Sequence, residues 1–183
     1  MASEFQRRKV TTVFDAMDDD GNGFLEEDDF VALTARWTGL RGGPADSPEH
    51  DRLRSIMMGW WSTLLAAAQP EQAGRVRLAD VLRVVDDLRR DPTPVAATAT
   101  AMFEAVDADG DGAVSAGEYR QMIEAWTGRP TGAEEIFPLL DTDGDGSVSL
   151  AEFTRAWTEF WTGDNPSAPG SWLFGRFRYL TCE

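Results

Sequence analysis

The sequence predicts an all-α fold in which four helix–loop–helix units form two pairs, packed into one compact globule. Two acidic twelve-residue segments, DADGDGAVSAGE at 107–118 and DTDGDGSVSLAE at 141–152, repeat one pattern of Asp, Gly and Glu. A third segment, DDDGNGFLEEDD at 18–29, follows that pattern except at its last position. Apolar residues recur every three or four positions on both sides of each segment, which is the period of a helix. Repeats of this kind indicate duplicated structural units.

The helices follow from this periodicity and from the residues that break it. They are predicted at 5–17, 27–38, 49–68, 78–90, 95–106, 116–127, 133–140 and 150–161. The segment 39–48 is polar and contains Gly and Pro, so it is predicted to be a linker. Pro138 lies inside one predicted helix and should shorten or kink it, because proline has no N–H to donate.

The break between the two pairs is predicted at Asp91 to Pro94, where two prolines interrupt the helical pattern. This places one pair of units at 1–92 and the other at 93–162. The remaining segment, 163–183, is too apolar to lie in water, and we expect it to pack on the core of its own domain. The alternative is that this segment is buried against a partner protein. The apolar residues of this segment are Trp172, Leu173, Phe174, Phe177, Tyr179 and Leu180.

Composition and charge exclude several classes of function. With 42% hydrophobic and 27% charged residues, the chain of 183 residues has the composition of an ordinary globular protein. Its 32 acidic and 17 basic residues give a formal net charge of −15. Nucleic-acid binding requires a basic face, and anionic membranes repel an acidic surface, so neither partner is expected. The acidic excess serves solubility or cation binding.

Enzymatic chemistry and export are not expected either. The N-terminal residues MASEFQRRKV form no apolar secretory signal, which favours a cytoplasmic location. The chain has one cysteine, Cys182, and one histidine, His50, so no Cys/His zinc site or nucleophilic pair is available. We expect His50 to be solvated near the linker and Cys182 to be an exposed thiol without a role.

The two regular acidic segments have the spacing of calcium-binding loops. Calcium takes six to eight oxygen ligands at about 2.3–2.6 Å, and a twelve-residue loop supplies them from alternate positions. Glycine at the sixth position makes the sharp turn, and the twelfth residue contributes two carboxylate oxygens. The predicted ligands are Asp107, Asp109, Asp111, Ala113 (carbonyl), Ser115 and Glu118, and Asp141, Asp143, Asp145, Ser147 (carbonyl), Ser149 and Glu152. Acidic, Gly-rich segments are often plain turns, but Glu at the correct offset favours metal sites.

The first loop, 18–29, departs from the pattern at Asp29, whose side chain is one methylene shorter than Glu. A shorter carboxylate reaches the ion less easily, so the site should bind calcium more weakly and discriminate less against Mg²⁺. Glu26 could compensate by reaching the ion directly. A loop that holds no metal is the alternative. The predicted ligands are Asp18, Asp20, Asn22, Phe24 (carbonyl), Glu26 and Asp29.

A fourth loop is predicted at 69–80, QPEQAGRVRLAD, where the metal positions are degenerate. Gln69, Glu71, Ala73, Arg77 and Asp80 occupy the ligand positions, and two arginines bring positive charge. This loop should bind no metal and should pair structurally with 18–29, with Val76 opposite Leu25. Val114 and Val148 occupy the same position in the other pair and are expected to form its short ladder. Three calcium ions are therefore expected.

The whole chain resembles the sarcoplasmic calcium-binding protein family of EF-hand proteins, and most closely its bacterial members of the calerythrin type. The resemblance rests on the three acidic loops, the degenerate loop at 69–80, and an F-W-x-x-D-x-P…W-L-F-G-R-F run. Phe160, Trp161, Asp164, Pro166 and residues 172–177 carry that run. The resemblance implies one compact four-hand globule, with the C-terminal segment packed into the cavity that the hands leave. It also implies intracellular calcium buffering or transport.

Three functions are compatible with such a fold. The first is a monomeric calcium buffer that needs no target protein. The second is a sensor that exposes a hydrophobic groove, but grooves of that kind favour clustered methionines, and those at positions 17, 57, 58, 102 and 122 are scattered. The third is a coelenterazine-type photoprotein, which shares the fold but relies on histidines near its chromophore. The buffer is the preferred interpretation.

Overall fold

The computed structural model describes residues 3–40, 47–69, 74–128 and 133–175, except for the side chain of Glu49. Within these ranges the chain is mostly helical, which confirms the predicted all-α class. The elements are α1 (Glu4–Met17), α2 (Glu27–Thr38), α3 (Pro48–Ala67), α4 (Leu78–Arg90), α5 (Thr93–Val106), β1 (Ala113–Val114), α6 (Ala116–Thr127), α7 (Phe137–Leu140), β2 (Val148–Ser149), α8 (Leu150–Thr162) and a 3₁₀ helix at Pro169–Trp172. None of the helices within the described ranges has the length and apolar character that crossing a membrane requires.

The loops pair as the sequence predicts. Strands β1 and β2 are antiparallel, and Val114 lies opposite Val148. In the other pair, Leu25 and Val76 exchange two backbone hydrogen bonds of 2.8 and 2.9 Å. Each acidic loop is therefore held against a partner loop, and the degenerate loop at 69–80 pairs with the first one. Glu71 and Ala73 of that loop lie outside the described residues.

Helix α7 differs from its prediction. The predicted helix at 133–140 is wrong over residues 133–136, which are not helical, and the helix runs only from Phe137 to Leu140. Pro138 lies in its first turn, where the missing N–H removes no helical hydrogen bond. A helix that started at 133 would have placed this proline in its interior, so the predicted shortening is confirmed.

The two predicted pairs share one core. Helix α2 packs against α6, α4 against α8, and α3 against α5. Trp37 and Trp126 meet edge to face across this boundary, with ring centroids 5.7 Å apart. The division into two units near residue 92 stays a prediction.

The C-terminal segment is buried as far as the structure describes it. Leu173 is fully buried, and the Phe174 ring lies 4.4 Å from the ring of Trp126 and 4.7 Å from that of Phe160. The Tyr119 hydroxyl donates a hydrogen bond of 2.9 Å to the carbonyl of Leu173. Leu173 and Phe174 thus belong to the buried core, and the packing of the whole segment 163–183 stays a prediction. Phe177, Tyr179, Leu180 and Cys182 lie outside the described residues.

His50 contradicts its prediction, because its side chain is only 9% exposed. Helix α3 begins at Pro48, so His50 belongs to the first helical turn and not to the linker. There it borders a small cavity that Trp37 and Leu53 also line. The prediction of a solvated histidine was wrong because the first turn of α3 lies close to α2 and α5, whose Trp37 and Ala101 line the same cavity.

The side chain of Lys9, the lone lysine in the sequence, is buried beneath the end of α8. Its Nζ donates hydrogen bonds to the carbonyls of Phe160 at 2.7 Å, Gly163 at 2.8 Å and Glu159 at 3.3 Å. Burial lowers the pKa of Lys9 to about 8, and the charge of Asp164 offsets only part of this effect. Lys9 thus caps the last turn of α8, where positive charge is favourable to the helix dipole.

We predict that the free energy of unfolding of the wild type, relative to that of Lys9→Met, rises between about pH 8 and pH 10.5. In this interval the unfolded chain binds more protons at Lys9 than the folded chain, because the folded pKa of Lys9 is the lower one, so the free energy of unfolding rises with pH. The contribution is of order 1–3 kcal/mol. Urea unfolding of both proteins across this range measures it. A pH-independent difference would contradict the assignment.

Candidate metal centre

The loop at 107–118 is wrapped around the carboxylate of its first residue, Asp107. Its Oδ1 accepts hydrogen bonds from the N–H groups of Gly110 at 2.8 Å and Asp111 at 3.1 Å, and its Oδ2 accepts one from Gly112 at 3.1 Å. Gly112 has a φ of +87°, which is the left-handed region that favours glycine. The turn predicted at the sixth position is therefore present, and it bends the backbone around Asp107.

Glu118 closes the same loop from the other end. Its Oε1 accepts the N–H of Ala108 at 2.8 Å, and its Oε2 accepts the N–H and the hydroxyl of Ser115, both at 2.8 Å. Ser115 in turn caps the start of α6 by accepting the N–H of Glu118, which is a capping box. One carboxylate thus joins the first part of the loop to the exit helix.

The loop at 141–152 repeats this arrangement. Asp141 accepts the N–H groups of Gly144 at 2.8 Å and Gly146 at 2.9 Å. Glu152 accepts the N–H of Thr142 at 2.7 Å through Oε1 and that of Ser149 at 2.9 Å through Oε2. The two loops with the full sequence pattern therefore share one geometry.

The fifth residue of each acidic loop supports the seventh, whose carbonyl is the predicted ligand. In each case a side-chain oxygen of the fifth residue accepts the N–H of the seventh at 2.9 Å. The pairs are Asp111 with Ala113, Asp145 with Ser147, and Asn22 with Phe24.

Carboxylates converge in all three loops. In each loop, one oxygen from each of three residues lies within 4.8 Å of the other two. The groups are Asp107, Asp109 and Glu118; Asp141, Asp143 and Glu152; and Asp18, Asp20 and Asp29. Clustered, uncompensated carboxylates repel one another, and hard divalent cations such as Ca²⁺ and Mg²⁺ are the partners that oxygen donors of this kind fit.

Hydrogen bonding sets the charge state of the closing glutamates. Burial by itself raises the pKa of Glu118, but donors from Ser115, Ala108 and Asp109 outweigh it, so its pKa lies below the usual value. In Glu152, donors from Ser149 and Thr142 likewise overcome burial and lower the pKa to about 2. Both side chains are thus held as anions.

Asp29 closes the first loop in the same way but under a different balance. It accepts the N–H of Asp19 at 3.0 Å and that of Glu26 at 2.8 Å, the positions that correspond to those bound by Glu118. Burial nevertheless raises the pKa of Asp29, and the charges of Asp20 and Asp18 add to the rise. The carboxylate is in place, but its anionic form is less favoured than in the other two loops.

Glu26 of the first loop contacts an arginine from the degenerate loop. Its Oε2 accepts a hydrogen bond of 2.9 Å from the amide of Asn22, and its Oε1 accepts one of 2.8 Å from Nε of Arg75. The sequence predicted that Glu26 could reach the ion and that two arginines bring positive charge to the degenerate loop, but the contact between Glu26 and Arg75 was not predicted. The sequence could have predicted this contact, because antiparallel pairing of Leu25 with Val76 places residue 26 beside residue 75.

Of the two acidic residues of the degenerate loop, Asp80 is the one that the structure describes, and its side chain is bound outside any metal position. Asp80 is buried, accepts the N–H of Arg77 at 2.9 Å and forms an ion pair with Arg83. Gln69 is exposed. Among residues 69 and 74–80, no cluster of three acidic ligands is found. That this loop binds no metal stays a prediction.

We predict that Arg75→Gln raises the cation affinity of the first loop by about 3- to 10-fold, because a positive charge beside Glu26 opposes the ion. The matched control is Arg77→Gln. The guanidinium of Arg77 lies 5.5 Å from the Phe24 ring, and that of Arg75 lies 5.2 Å from it, but Arg75 forms the bond to Glu26. Calcium titration in a background with Glu118→Gln and Glu152→Gln isolates the first loop. Equal effects of the two variants would contradict this role for Arg75.

Comparison with protein families identifies the repeated units. Models described as an EF-hand domain pair match residues 96–158 and residues 3–36, which contain all three acidic loops. The chain belongs to the EF-hand family. The second match ends before the degenerate loop, which agrees with the loss of its ligand residues.

Individual relatives place this EF-hand chain beside the sarcoplasmic calcium-binding proteins. The beta chain of that protein from Penaeus sp. is 29% identical over 110 residues, and the protein from Astacus leptodactylus is 28% identical. The match spans 56% of this chain and 57% of the length of each crustacean protein.

Solved structures extend the similarity over most of the chain. A calcium-binding protein from Streptomyces coelicolor, described in terms of calcium-mediated regulation, is 27% identical with a TM-score of 0.69 and covers 87% of this chain and 99% of its own. The sarcoplasmic calcium-binding protein from amphioxus has a TM-score of 0.71 at 16% identity and covers 96% of this chain and 99% of its own. At that identity the comparison with the amphioxus protein concerns the fold alone. This chain has the fold of the sarcoplasmic calcium-binding proteins.

Proposed function

We propose that this EF-hand protein is an intracellular calcium buffer or transporter that binds three Ca²⁺ ions. The observation that carries the proposal is the convergence of three oxygens in each of three loops. The ligands would be the side chains and carbonyls predicted for loops 18–29, 107–118 and 141–152. When bound, the ion supplies charge neutralisation. The chain itself supplies a loop that its own hydrogen bonds already hold in shape.

The closed core supports buffering over sensing. Leu173 and Phe174 fill the interior beside Trp126, where a sensor would open a groove. Within the described residues, four large apolar side chains are exposed, and they lie on different helices. They are Val31, Leu65, Leu139 and Leu150. Met17, Met57, Met102 and Met122 are buried. Within the part of the chain that the structure describes, this arrangement favours a closed core over an exposed groove for a target helix.

The first loop is the site we assign to exchange between Ca²⁺ and Mg²⁺. Its closing residue Asp29 carries the shorter side chain, and its pKa is raised chiefly by burial. Glu26 is shared with Arg75. Both features weaken a site that needs many oxygens, whereas Mg²⁺ needs fewer and keeps several waters.

A cytoplasmic location belongs to the same proposal. Buffers of this class bind calcium with dissociation constants of about 10⁻⁹–10⁻⁸ M, whereas extracellular modules work near 10⁻⁴–10⁻³ M. A high-affinity site would stay saturated outside the cell and could buffer nothing there. The protein is expected to act as a monomer that requires no target protein.

A calcium sensor is the second candidate, favoured by the description of the Streptomyces protein as one that mediates regulation. The two candidates differ in exposed apolar surface. A hydrophobic fluorescent dye should bind weakly and equally with calcium and with chelator if the protein is a buffer. The positive control is Phe174→Ala, which should open the core and increase dye fluorescence. Strong dye binding in calcium alone would support the sensor instead.

A further inference from the structure

Helices α2 and α6 follow the first loop and the loop at 107–118 directly, and they contact each other near their C-terminal ends. Asp29 lies in the first turn of α2, and Glu118 lies in the first turn of α6. Arg36 lies in the last turn of α2, and Ala125 lies in the last turn of α6. Each helix therefore joins the closing carboxylate of a metal loop to a contact with the other helix.

Arg36 connects the last turn of α6 to the first metal loop. Its Nε donates a hydrogen bond of 2.8 Å to the carbonyl of Ala125, and its Nη1 donates one of 2.9 Å to Oδ1 of Asp19. The guanidinium is planar and its donors point in fixed directions. Both bonds can therefore form only while α2, α6 and the first loop keep this arrangement.

Asp19 carries this constraint into the metal site. Its side chain accepts the bond from Arg36, and its backbone N–H donates a hydrogen bond of 3.0 Å to Oδ1 of Asp29, the closing carboxylate. Its two neighbours in the chain, Asp18 and Asp20, are predicted ligands. Arg36 thus holds the residue that lies between two ligands and that binds a third.

Stability alone does not explain the placement of Arg36. The next residue of each helix, Trp37 and Trp126, already joins α2 to α6 with ring centroids 5.7 Å apart. The side chain of Asp19 is 59% exposed, and exposed ion pairs contribute little to stability. Nη2 of Arg36 is buried and has no hydrogen-bond partner among the described residues, which costs free energy.

We propose that Arg36 is a positioning residue that couples calcium binding in the first loop to calcium binding in the loop at 107–118. When Glu118 is held by ligation, α6 is held with it, and Arg36 then fixes Asp19 and the closing carboxylate of the first loop. Because coupling between two binding sites is reciprocal, occupation of either loop raises the affinity of the other by the same factor. This proposal rests on the proposed calcium binding and adds a link between the two loops.

The test follows the amide signals of Gly23 and Gly112 by NMR spectroscopy while a chelator buffer sets the free calcium concentration. Each glycine reports the occupancy of its own loop. With Arg36 present, Glu118→Gln should weaken calcium binding at the first loop by about 5- to 20-fold. In Arg36→Met protein, the same substitution should change the affinity of the first loop by less than about 2-fold, because the connection is lost.

Three further variants separate position from charge. Arg52→Met is the matched control and should keep the coupling, because Arg52 forms an ion pair of 2.6 Å between α3 and α5, with Glu104 outside the metal loops. Arg36→Lys keeps the charge but lacks the planar fork, so it should not restore the coupling. Asp19→Ala breaks the connection from the side of the loop, and its loss of coupling tests the proposal even if Arg36→Met does not fold.

Two kinds of failure are distinguishable. Coupling of wild-type size in a folded Arg36→Met or Asp19→Ala protein, or full restoration by Arg36→Lys, overturns the role of Arg36 and leaves calcium binding intact. A first loop whose affinity does not respond to Glu118→Gln also overturns it. A Gly23 signal that calcium leaves unchanged, in a protein whose Gly112 signal responds, refutes the first site itself and with it the binding of three ions.

Discussion

Glu152→Gln is expected to lower the calcium affinity of its loop by about 100-fold or more. The substitution removes the anion that would supply two oxygens to the ion. It also replaces an acceptor that now holds Thr142 at 2.7 Å and Ser149 at 2.9 Å with an amide that has one oxygen. Both the charge of the site and the closure of the loop are affected, so few substitutions should have a larger effect.

The measurement is a calcium titration by calorimetry, with Glu118→Gln as the equivalent change in the other regular loop. Glu104→Gln is the matched control, because it removes the same charge from an exposed position outside the loops. An affinity loss of the same size in the Glu104 variant would show that general charge, and not ligation, is responsible.

Removing calcium should lower the melting temperature by about 20 °C or more relative to 1 mM calcium. A ligand at about 1,000 times its dissociation constant stabilises the native state by about 4 kcal/mol per site, and 1 kcal/mol shifts the melting temperature of a domain of this size by about 2–4 °C. The apo chain also carries a formal charge of −15, which three divalent ions would bring to −9. Self-repulsion therefore adds to the loss of binding energy.

Thermal unfolding followed by circular dichroism measures this shift. The control replaces calcium with sodium chloride at equal ionic strength, which screens the charges but provides no divalent ion. Identical melting temperatures in chelator and in calcium would mean that the loops do not bind the ion in the folded state. A full recovery in sodium chloride would assign the effect to screening alone.

Much of the fold could be predicted because the repeats carry strict local rules. Gly112 and Gly146 occupy positions where a positive φ is required, and the apolar residues two positions later, Val114 and Val148, lie opposite each other in the ladder. Helix α7 follows a similar local rule, because Pro138 is tolerated in the first turn of a helix but not in its interior. Such positions are determined by their immediate neighbours, so spacing alone locates them.

Other features depend on contacts that are remote in sequence. Lys9 would be assigned to a solvated surface by residue type, yet it is buried because the end of α8 offers three carbonyls that a single ammonium group can cap. His50 is buried because the first turn of α3 lies close to Trp37 of α2 and Ala101 of α5.

The bond between Arg75 and Glu26 lies between these two cases. Its register follows from the pairing of Leu25 with Val76, which the sequence predicted, but the orientation of the two side chains does not. The degenerate loop therefore contacts its partner loop through the guanidinium of Arg75 as well as through the backbone ladder. A sequence motif that describes each loop separately does not include this contact.

The measurement that tests the central claim most directly is a calorimetric calcium titration of the wild type with and without about 1 mM magnesium. A three-site buffer predicts three bound ions with dissociation constants of roughly 10⁻⁹–10⁻⁸ M, and magnesium should compete chiefly at the first loop. Two bound ions would contradict the third site and show that Asp29 silences its loop. Constants of about 10⁻⁷–10⁻⁵ M that magnesium does not change would contradict buffering and indicate a sensor.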